Sequence, residues 1–252
     1  MAQCAQNNAC SEKNVRLLKI RITTYVSALV FLSITALRLL NLDFESHSDV
    51  EIQQYAKNKW KLVTTWFNLV IIGYLPVCAY CDWRDLRGQE SMYHVVKLNK
   101  IRTFLFTNII FPTTAFSDTL FWGLWNKNKA LLMPLSAETV VSIWSQHAMH
   151  TFSFVFVVVD LLLVLRTRPK NPTKGILAMM GFVNLYAAIC VQGVWNGVYF
   201  YPCFKNLSSL KFCVLILFSY LGHLFYYLVQ WLVVDVVKLF KLSTSIHVKK
   251  NL

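Results

Sequence analysis

An all-α, polytopic membrane helix bundle of about six transmembrane helices with both termini cytosolic is the fold class the sequence predicts, on three observations. Hydrophobic residues fill 56% of the 252 positions and charged residues only 15%, well under the roughly 25% charged residues of soluble domains. Six successive stretches have the roughly 20 predominantly apolar residues that a helix needs to cross a bilayer. The basic residues, finally, gather in alternate connections rather than evenly along the chain.

The stretches run over 22–42, 61–80, 103–125, 138–165, 175–196 and 208–236. Ahead of the first, residues 1–15 are polar and lack a charged start running into an apolar core, so no cleavable signal peptide is expected and the first span itself anchors the chain. Between the spans, turn chemistry falls where loops should lie: Pro134, then Pro169 and Pro172 with Gly175, then Gly197 and Pro202. Pro76 and Pro112 fall inside spans, where they free backbone carbonyls and bend helices. No repeat and no Gly/Ser or Pro-rich linker divides the chain, which predicts one transmembrane domain over 1–252.

A net charge of +13 would suggest nucleic acid in a soluble protein, but its placement here points to a membrane and to no nucleic-acid partner. The N-terminal segment, the second and fourth connections and the tail hold 17 basic residues, among them Arg21, Arg84, Arg102, Arg166 and Lys238, against 5 in the other three connections. By the positive-inside rule the basic set is cytosolic, and an even number of spans agrees with two cytosolic ends.

Polar residues inside such spans are costly and are candidates for function. His147 and His150 share one face of the fourth span, with His150 ~15 Å below the non-cytosolic surface at 1.5 Å per residue. Thr64 and Thr65 open the second span in the same half of the bilayer, so a hydroxyl nucleophile and an imidazole base could meet there; a membrane threonine otherwise bonds back to a carbonyl one turn earlier. Asp118 lies at comparable depth in the third span, where it orients the imidazole as a third member or bonds Thr114 or neighbouring backbone. Asp160 is ~15 Å further along the fourth span, too far to orient His150. Asp82 and Asp235 close spans near the basic loops, where pairing or capping is expected, and a core hydrogen bond is expected for His223.

Seven cysteines carry no metal-site spacing: Cys78 and Cys81 form a lone C-x-x-C without a second ligand pair, and Cys4 and Cys10 in the N-terminal segment are at most acylation sites. G-x-S-x-G, Walker and H-E-x-x-H sequences are all missing, so a soluble-type hydrolase, NTPase or zincin is disfavoured and no cofactor or metal is expected.

The run Trp60-Lys61-Leu62-Val63-Thr64, with Cys78 and Asp82 at matching spacing, resembles the W-K-x-L-T segment of the androgen-induced gene 1 / androgen-dependent TFPI-regulating protein family of multi-pass intramembrane threonine hydrolases. The likeness continues through Arg102, Phe111-Pro112, Phe121-Trp122, Pro134, Trp144, His147-Ala148-Met149-His150-Thr151 and Gly197 to Tyr201-Pro202, and spans about 60–202. It implies cleavage of fatty acid esters of hydroxy fatty acids, with Thr64 as nucleophile and His150 as base; slippage by one residue would substitute Thr65. Gln146, His147 and Asp118 are the further supporting candidates. The chain departs from the family pattern at Gln146 (usually asparagine), Asp118 (apolar), Asp160 (glutamate), Gly193 (histidine) and Tyr199 (tryptophan), so the triad role of Asp118 rests on depth alone.

The implied partner is a lipid ester substrate within the membrane; oligomeric state has no signature in the sequence. The alternative reading is a non-enzymatic membrane regulator, scaffold or lipid carrier, with the histidines supporting a polar core. A proton-coupled transporter using His150, Asp118 and Asp160 lacks the expected inverted repeat. Lys249-Lys250-Asn251-Leu252 resembles a dilysine retrieval signal and predicts the endoplasmic reticulum membrane, with the plasma membrane as alternative; Asn206-Leu207-Ser208 is an N-glycosylation sequon.

Overall fold

The computed structural model describes residues 2–44 and 47–250, with side chains described for residue 12, 14–44 and 47–240. Cys4, Cys10 and the Lys249-Lys250-Asn251-Leu252 signal lie outside the described side chains. Regular structure among the described residues is helical throughout. Helix α1 spans Ala2–Leu40, α2 Val50–Asn58, α3 Val63–Leu86, α4 Tyr93–Leu105, α5 Phe111–Asn128, α6 Ile143–Gln146, α7 Ser153–Leu163, α8 Thr173–Trp195 and α9 Ser209–Lys250. Two π-helical turns, Phe106–Ile110 and His147–Phe152, join α4 to α5 and α6 to α7 into longer rods.

Five helices among the described residues are long and apolar enough to cross a membrane: Asn14–Leu40, Val63–Leu86, Ile143–Leu163, Thr173–Trp195 and Ser209–Phe240. The protein is therefore a polytopic helical bundle, and the sixth expected span, 103–125, has a different character. It falls within the rod of α4, its π turn and α5, and every residue from Phe111 to Asp118 is buried. This stretch holds Thr113, Thr114, Ser117 and Asp118, which a lipid-facing helix could not carry; α5 packs instead against α9, α7 and α3, at the centre of the bundle. Around it the outward faces are apolar. Trp144, Trp195 and Tyr93, exposed at 76%, 87% and 82%, stand near helix ends, as interfacial aromatics do.

Helix α1 lies along α3, and Tyr25, Leu32, Phe67, Ile71, Phe106 and Tyr227 are among the residues of the main core. Buried ion pairs hold the half of the bundle remote from Thr64. Asp82 accepts from Arg21 and Arg102, both at 2.6 Å, and Asp160 accepts from Tyr25 at 2.6 Å, Tyr74 at 3.0 Å and Arg166 at 2.5 Å. Charges this deep persist only when paired and hydrogen-bonded, which both aspartates are. Asp160 is thus fully engaged and remote from His150. His223 bonds the Ser219 carbonyl at 2.7 Å, and Cys78 and Cys81 are buried thiols.

At the other end, a second apolar cluster, Phe44, Ile52, Met133, Ala137 and Val141, packs the α1–α3 connection on the α5–α6 connection. Asp49 caps α2 by accepting from the Glu51 amide at 2.8 Å. After α8 the chain reverses at Gly197, whose φ of +70° suits glycine, and the Val198 amide bonds the Gly193 carbonyl at 2.8 Å. A Cβ at Gly193 would lie 2.7 Å from Phe200 and 2.9 Å from the Val198 carbonyl, so this tight return favours glycine there.

Candidate active site

Thr64 occupies the first turn of α3. The chain enters that turn through the extended Leu62, which offers no side-chain cap. The Val63 amide is met instead by two phenol oxygens, Tyr186 of α8 at 3.0 Å and Tyr201 at 3.2 Å, themselves 3.2 Å apart. These contacts pin the start of α3 between α8 and the loop that follows it.

His150 belongs to the π turn His147–Phe152. An i→i+5 turn inserts a residue into the helix and re-aims the side chains after it, and such turns concentrate at functional sites. Here His150 and Ser153 both face Asp118: His150 Nδ1 lies 2.9 Å from Asp118 Oδ1, and Ser153 Oγ lies 2.7 Å from Asp118 Oδ2 and 2.5 Å from the Met149 carbonyl. Met149 O also accepts from Asn68 Nδ2 of α3 at 3.2 Å, and the same amide donates to Thr64 O at 3.0 Å, tying the π turn to the threonine.

His150 Nε2 stands 3.5 Å from Thr64 Oγ1. With Asp118 accepting from Nδ1–H, the Nε2 lone pair is left for the threonine proton. Phe121 stacks on the imidazole with centroids 3.5 Å apart and planes 6° from parallel, so the ring is held on one face and at both nitrogens. His150 and Asp118 are 3% and 1% exposed. The arrangement has the geometry that a nucleophile, a base and an orienting carboxylate would need. Its nucleophile–base distance is at the long limit of hydrogen-bond reach, as is common before substrate binds.

The other sequence candidates lie apart from this constellation. The Thr65 hydroxyl donates to the Lys59 carbonyl at 2.6 Å, a local bond that turns it away from His150. His147 bonds Thr151 at 3.0 Å and stacks on Trp122 at 4.7 Å. Gln146 is buried, with its amide 3.4 Å from the Met133 sulfur. Asn206 is exposed at the end of the short 3₁₀ turn Pro202–Asn206. Asp118 bonds His150 and Ser153 rather than Thr114. Sequence reasoning missed Ser153, Asn68, Tyr186 and Tyr201. Only Tyr201 stood in a recognisable run.

Two apolar cavities of about 1120 and 1010 Å³, measured out to their open mouths, meet at the site. Thr64, His150, Phe121, Leu132 and Tyr201 line both. The first runs between α1 and α3 past Leu32, Leu39 and Leu69; the second runs between α5, α8 and α9 past Phe116, Phe182 and Phe212. Among the described residues no cluster of three His, Cys, Asp or Glu is arranged to hold a metal ion.

Fold and site together define a multi-pass helical membrane protein with a part-buried Thr–His–Asp constellation between two apolar cavities. The chain belongs to the FAR-17a/AIG1-like protein family, whose model matches residues 23–233. It is 30% identical over 164 residues to the human (Homo sapiens) androgen-dependent TFPI-regulating protein, covering 64% of this chain and 70% of the relative. The hamster (Mesocricetus auratus) protein of the same name is 31% identical over 138 residues, 52% of this chain and 57% of the relative. The human androgen-induced gene 1 protein is 24% identical over 156 residues, 59% and 65%. No solved structure matches the chain.

Proposed function

We propose that the protein is an intramembrane lipid esterase in which Thr64 is the nucleophile, His150 the general base and Asp118 the residue that orients and stabilises the imidazole. The observation that carries this reading is the approach of Thr64 Oγ1 to His150 Nε2 at 3.5 Å, with Asp118 on the far nitrogen at 2.9 Å. A threonine hydroxyl is a poor nucleophile until a base takes its proton, and a histidine aligned by a carboxylate does so at neutral pH.

In the proposed cycle Thr64 Oγ bonds to the ester carbonyl carbon while its proton passes to His150 Nε2. The tetrahedral adduct collapses by breaking the ester C–O bond, and the leaving alkoxide takes the proton back from Nε2, departing as an alcohol. A water then gives a proton to Nε2 and attacks the acyl-threonine; Thr64 leaves and recovers its proton, releasing a carboxylic acid. An ester with an apolar arm on either side of its carbonyl suits two cavities that converge on one hydroxyl. Fatty acid esters of hydroxy fatty acids have that form.

Thr64→Ala and His150→Ala, purified separately in detergent, are expected to melt like wild type and to lose at least about 10³-fold in kcat on such an ester. Equal hydrolysis by all three proteins would sink the reading. The second reading, a non-enzymatic membrane regulator, takes support from the printed names of the relatives, one of which regulates TFPI. It predicts no hydrolysis by any of the three.

The charge bias supports a topology with both termini in the cytosol and the Thr64 end of the bundle on the opposite side, which is the lumen if the protein resides in the endoplasmic reticulum.

A further inference from the structure

We propose that the hydroxyl of Tyr201 is the oxyanion donor of this site: it gives a hydrogen bond to the carbonyl oxygen as that oxygen becomes negative under attack by Thr64. The inference rests on the esterase reading and adds a catalytic residue to it.

Acyl transfer needs more than a nucleophile and a base. When Thr64 Oγ bonds to the carbonyl carbon, the C=O π pair moves onto oxygen, and in an apolar pocket that charge must meet a preorganised donor. Few groups around Thr64 can serve. Thr65 gives its hydroxyl proton to Lys59 O, Asn68 Nδ2 is committed to two carbonyls, and Lys59 is the one charged side chain lining either cavity.

Tyr201 has the required placement. Its oxygen is 3.2 Å from the amide of Val63, the residue before Thr64, and its side chain lines both cavities at their junction. The proton count also favours it. Val63 N–H donates to the phenol oxygens of Tyr186 and Tyr201, which are 3.2 Å apart, and one proton fills the space between them. A second hydroxyl proton remains to be placed. Tyr186 borders one cavity, whereas Tyr201 opens onto both cavities beside Thr64. With Tyr186 donating to Tyr201, the Tyr201 proton is free to meet a ligand. Burial pushes this phenol above its ordinary range, so it keeps that proton at neutral pH. The first turn of α3 adds its positive field from the same side.

The experiment compares wild type, Tyr201→Phe, Tyr186→Phe and Thr64→Ala as full-length proteins in detergent. It uses a long-chain fatty acid ester as substrate, a long-chain trifluoromethyl ketone as the analogue of the tetrahedral adduct, and the product fatty acid as a ground-state ligand. Tyr201→Phe is expected to lower kcat by about 10²-fold or more with KM little changed, and to weaken trifluoromethyl ketone binding by a similar factor. Fatty acid binding should stay as in wild type, which a merely structural loss at the Val63 amide would not leave intact. Tyr186→Phe, which loses the same contact to the Val63 amide but keeps the Tyr201 hydroxyl, should lower kcat and ketone affinity at least about tenfold less than Tyr201→Phe does; equal losses in the two variants would overturn the role of Tyr201. Tyr201→Phe with wild-type kcat and ketone affinity, beside an inactive Thr64→Ala, would overturn the role of Tyr201 and leave the esterase standing. A wild-type protein that neither turns over the ester nor binds the ketone removes both. If Tyr201→Phe does not fold, 3-fluorotyrosine at position 201 decides: a stronger donor must change ketone affinity, and no change overturns the proposal.

Discussion

Asp118 accounts for why a histidine sits inside an apolar segment. One of its oxygens holds His150 Nδ1 and the other meets Ser153, so the imidazole is fixed in tautomer and orientation while Phe121 closes its face. Asp118→Asn preserves shape but removes the charge that stabilises an imidazolium, and kcat on a lipid ester should fall by about 10²–10⁴-fold. Steady-state kinetics on a variant with an unchanged melting curve tests this; kcat within about threefold of wild type would make Asp118 a packing residue only. Thr64 and His150 were legible because W-K-x-L-T and H-A-M-H-T are recognisable strings, and Asp118 because an aspartate at that depth needs a partner. Ser153 and Asn68 were not, since a lone serine or asparagine in an apolar run has no period or spacing to mark it. Their importance exists only across helices, at Met149 O and Asp118.

Among the elements, the two π turns are what the sequence could not display. Hydrophobic periodicity over 103–125 and 138–165 reads as plain spans, yet Phe106–Ile110 and His147–Phe152 each insert a residue, and the second aims His150 and Ser153 at one carboxylate. The 103–125 stretch also shows why apolar length alone misleads: its helix is central, so its inward residues are Thr113, Thr114, Ser117 and Asp118 rather than lipid-facing aliphatics. The charge pattern is an element-scale signal of another kind, since it labels helix ends. By the positive-inside rule it predicts a cytosolic end for α9 and a luminal α8–α9 connection, which carries Tyr201. In cells whose plasma membrane alone is permeabilised, a tag after Leu252 should therefore react with antibody and one inserted after Gly197 should not. The reverse pattern would invert the topology.

At the scale of the whole molecule, the two halves of the bundle have different chemistry. One half is locked by buried pairs, Asp82 with Arg21 and Arg102, and Asp160 with Arg166, Tyr25 and Tyr74. In the other, two apolar cavities converge on a single threonine hydroxyl. That division sets the charged clusters apart from Thr64, His150 and Asp118, a polar island beside apolar cavities. The sequence carried the bilayer, the helices and the family, because composition and apolar length report solvent; the cavities are made by packing between distant segments and had no sequence signature. The central claim is that Thr64 is the nucleophile, and its most direct test is to react the full-length protein with a long-chain fluorophosphonate and locate the adduct by peptide mass spectrometry. The adduct is expected on Thr64 and should disappear in His150→Ala. An adduct on Thr65, or none on a protein that hydrolyses lipid esters, would contradict it.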